Sequence, residues 1–137
     1  MAQLQLEVVT PERRVLSEDV ETVVVPGLGG ELGILPGHTP LISQLQTGVL
    51  SYTQGGRTSQ LHISGGFLEV RDDHVSVLAE IAERPEEIDA ARARLARESV
   101  EKRLSSWSGT EEDLEEARIE LDRATVRLQL ATGKSGN

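Results

Sequence analysis

The sequence predicts a β + α chain. An N-terminal β-sandwich, or flattened barrel, spans residues 1–84, and a C-terminal antiparallel two-helix hairpin spans residues 85–137. Three observations carry this expectation. Apolar and polar residues alternate in short runs that recur about every ten residues through the first half. Ten of the 13 glycines and four of the five prolines precede Glu83-Arg84, and Pro85 marks the break. Beyond it the apolar spacing changes to three and four, and residues 84–137 interleave 10 basic with 12 acidic residues. That is the pattern of solvated helices.

The first strand follows from Leu4, Leu6 and Val8 alternating with Gln5 and Glu7. Val20, Thr22 and Val24 continue in the same style. Residues 48–52 and 60–63 read as further strands. Phe67-Leu68-Glu69-Val70-Arg71 and Val75-Ser76-Val77-Leu78 flank a turn at Asp72-Asp73-His74. Gln54-Gly55-Gly56-Arg57 reads as a hairpin turn. No helical period interrupts these strands, which points to a sandwich.

Pro85 suits the first position of helix one, and Glu86 and Glu87 complement its dipole. Ile88, Ala91, Leu95, Ala96, Val100 and Leu104 would form its apolar side. Residues 105–109 break it. Thr110 caps helix two, with Asp113 in the capping-box position. Leu114, Ala117, Leu121, Ala124, Leu128 and Ala131 then form a heptad-like stripe in which alternate members are alanine. Such a hairpin is about 30 Å long. Its seam is narrow, so it is only marginally stable alone. The tail from Gly133 to Asn137 is expected to fray.

Composition removes several function classes. At 137 residues and a net charge of −9, the chain lacks the basic stripe of a nucleic-acid binder and the basic cluster of a lipid anchor. It has no cysteine, so disulfide, thiolate and cysteine-zinc chemistry are excluded. No apolar run approaches the ~20 residues of a membrane helix. The N-terminus lacks the basic-then-apolar order of a signal peptide. A soluble cytosolic chain, touching a membrane only through partners, is the expectation.

Chemistry is sparse. His38, His62 and His74 show no metal-ligand spacing. There is no nucleophile elbow, P-loop lysine or dinucleotide fingerprint, and no catalytic residue is assigned. Asp72-Asp73 reads as turn chemistry. Two segments stand out. Gly30-Glu31-Leu32-Gly33-Ile34-Leu35-Pro36-Gly37-His38-Thr39-Pro40-Leu41 is a mostly apolar connection with one Glu and one His. Ile88-Asp89-Ala90-Ala91-Arg92-Ala93 reads most simply as a surface ion pair opening a helix.

Together these segments resemble the epsilon subunits of bacterial F-type ATP synthases. The resemblance covers essentially the whole chain. Its carriers are residues 30–41, Ser64-Gly65-Gly66-Phe67-Leu68-Glu69-Val70, Val8-Val9-Thr10-Pro11 and Val77-Leu78-Ala79-Glu80.

The resemblance implies a non-catalytic rotor subunit at the foot of the central stalk, peripheral on the cytoplasmic face of the bacterial membrane. Its sandwich would bind the gamma subunit and the c-ring, with Glu31 and His38 facing them. Its hairpin would either fold down or extend toward the catalytic beta and alpha subunits, inhibiting ATP hydrolysis when extended. Arg92, Arg94, Arg97, Arg103, Arg118, Arg123 and Arg127 would then meet acidic groups; pairing with Glu98, Glu101 or Glu120 is the plainer reading.

No cofactor is required. The resemblance also implies a regulatory ATP, since some members carry Ile/Leu-Asp-x-x-Arg-Ala at the start of helix one. Here that motif is Ile88-Asp89-x-x-Arg92-Ala93, and Glu83, Arg123 and Arg127 match as well. Guanidinium groups suit phosphates, and a carboxylate accepts from the adenine amine. A further arginine of such members is Ser99 here. Losing one such contact costs roughly tenfold to a hundredfold in affinity. The alternative is a free-standing ATP-sensing module of the same fold.

Overall fold

A computed structural model describes residues 2–133 of the chain. The chain divides between Arg84 and Pro85 into two compact units.

The first unit holds eight strands: β1 (Leu4–Val9), β2 (Arg14–Val20), β3 (Thr22–Gly27), β4 (Gly30–Ile34), β5 (Leu41–Gln44), β6 (Gly48–Gln54), β7 (Arg57–Arg71) and β8 (His74–Glu83). Their order is β2-β1-β8-β7-β6-β3-β4, with β5 also paired to β7. Every pairing is antiparallel except β1 with β8. The alternation seen in the sequence becomes burial. Leu4, Leu6 and Val8 of β1 are buried, as are Leu68 and Val70 of β7 and Val75, Val77 and Ala79 of β8. These side chains form one core with Val23, Val25, Leu50, Tyr52, Leu61 and Ile63.

The 15-residue β7 organises the sandwich. Its first half pairs with β6 and its second half with β5, while β8 runs along its other side. The strand therefore serves both layers and bends between them at Gly65 (φ 72°) and Gly66 (φ 103°). A Cβ on Gly66 would lie 2.0 Å from the carbonyl oxygen of Leu78. Glycine alone fits.

The sequence split this strand into two, at residues 60–63 and 67–71. The glycine pair looked like a break but is a bend. Two further differences concern the connection at residues 30–41. Residues 30–34 form β4, against β3, and Leu41 opens β5, so the true loop is residues 35–40. β2 was not foreseen, because Arg14 to Val20 alternates poorly (burial of Val15 and Leu16 is consecutive). The hairpin turns stand as read. Gly55 and Gly56 have positive φ, and so do Asp72 and Asp73, as two-residue turns between twisted strands require. His74, however, is the first residue of β8 rather than part of the turn.

The second unit opens on a 3₁₀ turn at Pro85–Glu87, followed by α1 (Ala90–Ser105) and α2 (Glu111–Thr132). Helix one thus starts five residues later than expected from Pro85. The reason is local. Ile88 N donates to Pro85 O, closing the tight turn. Asp89 then takes the N-cap position, its Oδ1 accepting from Arg92 N at 3.1 Å, an arrangement favoured over a carboxylate inside the helix. Asp89 and Arg92 are therefore joined through cap and backbone, not through a side-chain ion pair. Thr110 Oγ1 accepts from Asp113 N at 3.1 Å as the cap of α2. Gly133 ends α2 in the left-handed conformation, so it is a cap and not frayed. Residues 134–137 lie outside the described residues.

The seam between the helices differs on one side. On α2, Ala117 and Ala124 are buried, and Leu114, Leu121, Leu128 and Ala131 are half-buried, as the stripe predicts. On α1 the buried residues are Ala93 and Val100, one heptad apart. Ala91 and Ala96 are exposed, and Leu95 is 67% exposed. The apolar residues of α1 are too spread around the helix for one neighbour to cover. Arg103 bonds Glu120 across the helices, and Arg97 sits 3.9 Å from Glu101 along α1.

Two consequences can be measured. Gly66→Ala combines a forbidden φ with a backbone clash, so the sandwich is expected to lose about 3 kcal/mol or more, read as a fall in denaturant midpoint. Asp122 supplies the second. Partial burial pushes its carboxyl above the ordinary 3.8, and the charge of Glu115 adds to this. A raised folded-state value means the favourable contribution is present below the ordinary carboxylate range and lost as pH rises through it. Asp122→Asn is expected to raise the melting temperature at neutral pH, with the advantage fading on acidification toward pH 4; an advantage independent of pH would contradict this.

Candidate functional site

Four places in the chain are candidates for a functional site. The first is the sandwich end around β4. Glu31 is exposed on this edge strand, opposite Pro26 of β3. His38 is half-buried in the loop of residues 35–40, its Nδ1 2.7 Å from Thr39 O. No hydrogen bond or ion pair joins Glu31 to His38. Leu28 and Leu35 are about 60% exposed beside them (61% and 60%). The loop is fastened from outside: Gly37 N donates to Asp73 Oδ1 at 2.7 Å. Asp73 also sits at φ 61° in the β7–β8 turn, and its carbonyl accepts from Gln5 N. The acidic pair is thus a turn that also ties β1 and the His38 loop together, a role that sequence spacing does not reveal.

The second place was missed by sequence reasoning. Gln44, Phe67, Leu78 and Val9 are side-by-side partners on β5, β7, β8 and β1, and Ile42 lies one step diagonal to Phe67. Ile42 is 73% exposed, Phe67 51% and Leu78 57%. Val9, Phe67 and Leu78, with Thr10, Pro11, Gly66, Ala79 and Glu80, line an open cleft of about 410 Å³. Glu69 and Glu80 border this row. The signal was present: Phe67 precedes buried Leu68, and Leu78 lies between buried Val77 and Ala79, so both are apolar on the outward phase of their strands.

The third place is the end of β8. Glu83 Oε1 lies 2.8 Å from Nδ1 of fully buried His62, its register partner on β7. Arg84 Nη2 donates to Val15 O at 2.8 Å. The fourth is the helical unit. Ile88 is half-buried before the cap, Asp89 is the cap, Arg92 is exposed and Ala93 is buried in the seam. Arg123 and Arg127 lie four residues apart on one side of α2, both half-buried. Ser99 is exposed on α1. Among the described residues no group of three His, Cys, Asp or Glu is placed to hold a metal, and no helix is long and apolar enough to cross a membrane.

Comparison with known proteins bears on the whole chain. Residues 3–85 match the family described as ATP synthase, Delta/Epsilon chain, beta-sandwich domain. Residues 86–132 match that of the Delta/Epsilon chain's long alpha-helix domain. The chain belongs to the ATP synthase delta/epsilon family. The ATP synthase epsilon chain of Desulforamulus reducens is 46% identical over 132 residues, covering 96% of this chain and 99% of that one. That of Pelotomaculum thermopropionicum is 54% identical over 101 residues, covering 74% and 75%. A chain in the cryo-EM structure of the Euglena gracilis mitochondrial ATP synthase (OSCP, F1 and c-ring) has a TM-score of 0.80 at 31% identity, covering 96% of this chain and 82% of that one. A chain from the Tetrahymena thermophila mitochondrial ATP synthase shares the fold, with a TM-score of 0.65 at 15% identity. The two delta/epsilon family matches meet one residue after the division between the two units of this chain.

In this delta/epsilon chain the tether of the His38 loop can be tested by itself. Asp73→Gly keeps the positive φ and removes the acceptor; Asp73→Asn keeps both. Hydrogen exchange at the Gly37 amide is expected to speed up about tenfold in Asp73→Gly, the worth of one exposed bond, and to stay near wild type in Asp73→Asn. Equal exchange in both would show that the turn, not the carboxyl oxygen, holds the loop.

Proposed function

We propose that the chain is a non-catalytic central-stalk subunit of a proton-translocating F-type ATP synthase, coupling rotation to ATP synthesis. The sandwich docks on the gamma subunit and the c-ring, and the helical hairpin inhibits ATP hydrolysis through the catalytic beta and alpha subunits. The complex holds the subunit at the cytoplasmic face of the bacterial membrane.

The observation that carries the docking is the exposed row of Phe67, Leu78 and Ile42, continued by half-buried Val9. Large apolar side chains grouped on one sheet face, beside a cleft, are what a buried partner interface requires. The acidic border at Glu69 and Glu80 favours a partner with basic groups around an apolar centre. Glu31, Leu28, Leu35 and His38 offer a second, smaller contact at the sandwich end, suited to the c-ring. The narrow α1–α2 seam supports the inhibitory role, because a two-state element needs arrangements separated by only a few kcal/mol.

ATP is the regulatory ligand of this reading. Asp89 with Arg92, and Arg123 with Arg127, supply the cap and the phosphate-binding cations, and Glu83 accepts from the adenine amine. The helix-start geometry favours it: the Asp89 cap fixes the first turn from which Arg92 projects, leaving that guanidinium exposed. Ser99 weakens the site without removing these groups.

The full chain carrying Phe67→Ser and Leu78→Ser tests the docking. Both positions are more than half exposed, so the melting temperature is expected to hold. Capture of purified gamma is expected to weaken by a hundredfold or more, about 3 kcal/mol. Undiminished capture would reject this face. A wild-type chain that binds ATP but never captures gamma would favour the free-standing sensor.

A further inference from the structure

The strand order ends on β2 at one side and on β4 at the other, and the two edges are finished differently. In an antiparallel ladder successive residues direct their backbone groups to alternate sides. Pro26 of β3 has no N–H, and its carbonyl accepts from Gln46 N at 2.9 Å, away from β4. Pro26 and its register partner Glu31 are therefore a pair without mutual hydrogen bonds. The N–H and C=O of Glu31, and of Gly33 two residues on, face the open side of β4, while Leu32 and Ile34 bond β3. No hydrogen bond to those four outward groups is present among the described residues. On β2 the outward carbonyls are taken by side chains. Arg84 Nη2 donates to Val15 O at 2.8 Å, and Gln54 Nε2 donates to Asp19 O at 2.9 Å. One edge is stoppered and the other is bare. Nothing crowds the bare one: Glu31 and Gly33 are exposed, and a Cβ on Gly33 would meet no atom within 4 Å. An edge with no proline, no lysine and no cover is a template for pairing.

We propose that β4 is a strand-accepting edge, adding an extended segment of another protein that carries Lys or Arg between apolar residues. Main-chain bonds to Glu31 and Gly33 hold the segment. Its basic residue lies across from Glu31, the pairing that opposite charges on neighbouring strands favour. Its apolar neighbours lie on the other face, beside half-buried Leu32, which packs on the core. A second copy of this chain does not fit. Its β4 would bring Glu31 to an acidic edge, and its β2 is stoppered. Residues 1–83 carry 4 basic and 11 acidic side chains, which steers a basic segment here and turns an acidic one away. The assignment concerns the backbone of β4, goes beyond the docking proposed above and stands whichever chain supplies the segment.

Amide hydrogen exchange on the full chain tests this, alone and with millimolar short capped peptides alternating valine with lysine or valine with glutamate. In the free chain the Glu31 and Gly33 amides are expected to exchange about tenfold or more faster than those of Leu32 and Ile34. The lysine peptide is expected to slow the first two about tenfold, and the glutamate peptide to leave them unchanged. Gly33→Pro removes an N–H that β3 does not use, as edge strands tolerate. Its melting temperature is expected to hold and the protection of Glu31 to vanish, whereas Gly33→Ala behaves as the wild type. Should Gly33→Pro fail to fold, Glu31→Lys takes its place; it leaves the backbone intact and is expected to reverse the choice between the peptides. Slow exchange at Glu31 and Gly33 in the free chain would overturn the assignment. So would a lysine peptide that leaves them unchanged, or protection of Glu31 that survives Gly33→Pro. Equal protection by both peptides would overturn it too, since Glu31 would then select nothing.

Discussion

The sandwich depends on the close approach of Gly66 to the Leu78 carbonyl. At that point β7 turns from one layer into the other while keeping its pairing with β8 on both sides of the bend. Any side chain there would push the two central strands apart. The partnerships on either side of the bend follow from it. β6, with β3 and β4 beyond it, attaches before the glycines, and β5 attaches after them. The same bend also sets the outward face. It presents Phe67 immediately after Gly66, opposite Leu78, so the residues that hold the fold and those that offer an apolar surface are neighbours in sequence.

The second unit is built on a different principle. Its seam relies on small residues: Ala93, Ala117 and Ala124 let the two helices approach closely, and Val100 and Leu130 supply most of the buried apolar volume. Alanine contributes little transfer energy, since burial is worth roughly 25 cal/mol per Å² and alanine has little area to bury. The caps therefore matter more here than in a thick core. Asp89, Thr110 and Gly133 each satisfy backbone groups at a helix end, which fixes the helix lengths where packing alone would not.

Much of this architecture was legible from residues alone. Leu4-x-Leu6-x-Val8 could only be a half-buried strand, and the alanine–leucine alternation of α2 could only be a helix seam. The bend at Gly65-Gly66 was misread as a chain break, because local sequence does not tell a turn from a kink; the pairing partners decide. Helix one was started too early because Pro85 and Asp89 are both good start signals, and only the 3₁₀ geometry shows that Asp89 wins. Of the candidate site, Asp89 and Arg92 stand out through their motif, but as an ion pair where the structure has a cap. The outward Phe67 and Leu78 were read simply as strand residues. The Asp73–Gly37 and His62–Glu83 links join residues far apart in sequence, and no local pattern encodes them.

The parallel pairing of β1 with β8 has a consequence for how the chain is made. Gln5 lies beside His74 and Val9 beside Leu78, so β1 finds its second partner only when the last strand of the sandwich leaves the ribosome. Until then β1 can pair only with β2, leaving its other edge open. Contacts of such long sequence separation form slowly, and an open edge invites wrong partners. The helical segment comes after β8, and its synthesis at roughly 5–20 residues per second gives the sandwich several seconds to close with the chain still tethered. The trailing helices thus act as a timed leash, holding the nascent sandwich at the ribosome through its most aggregation-prone interval.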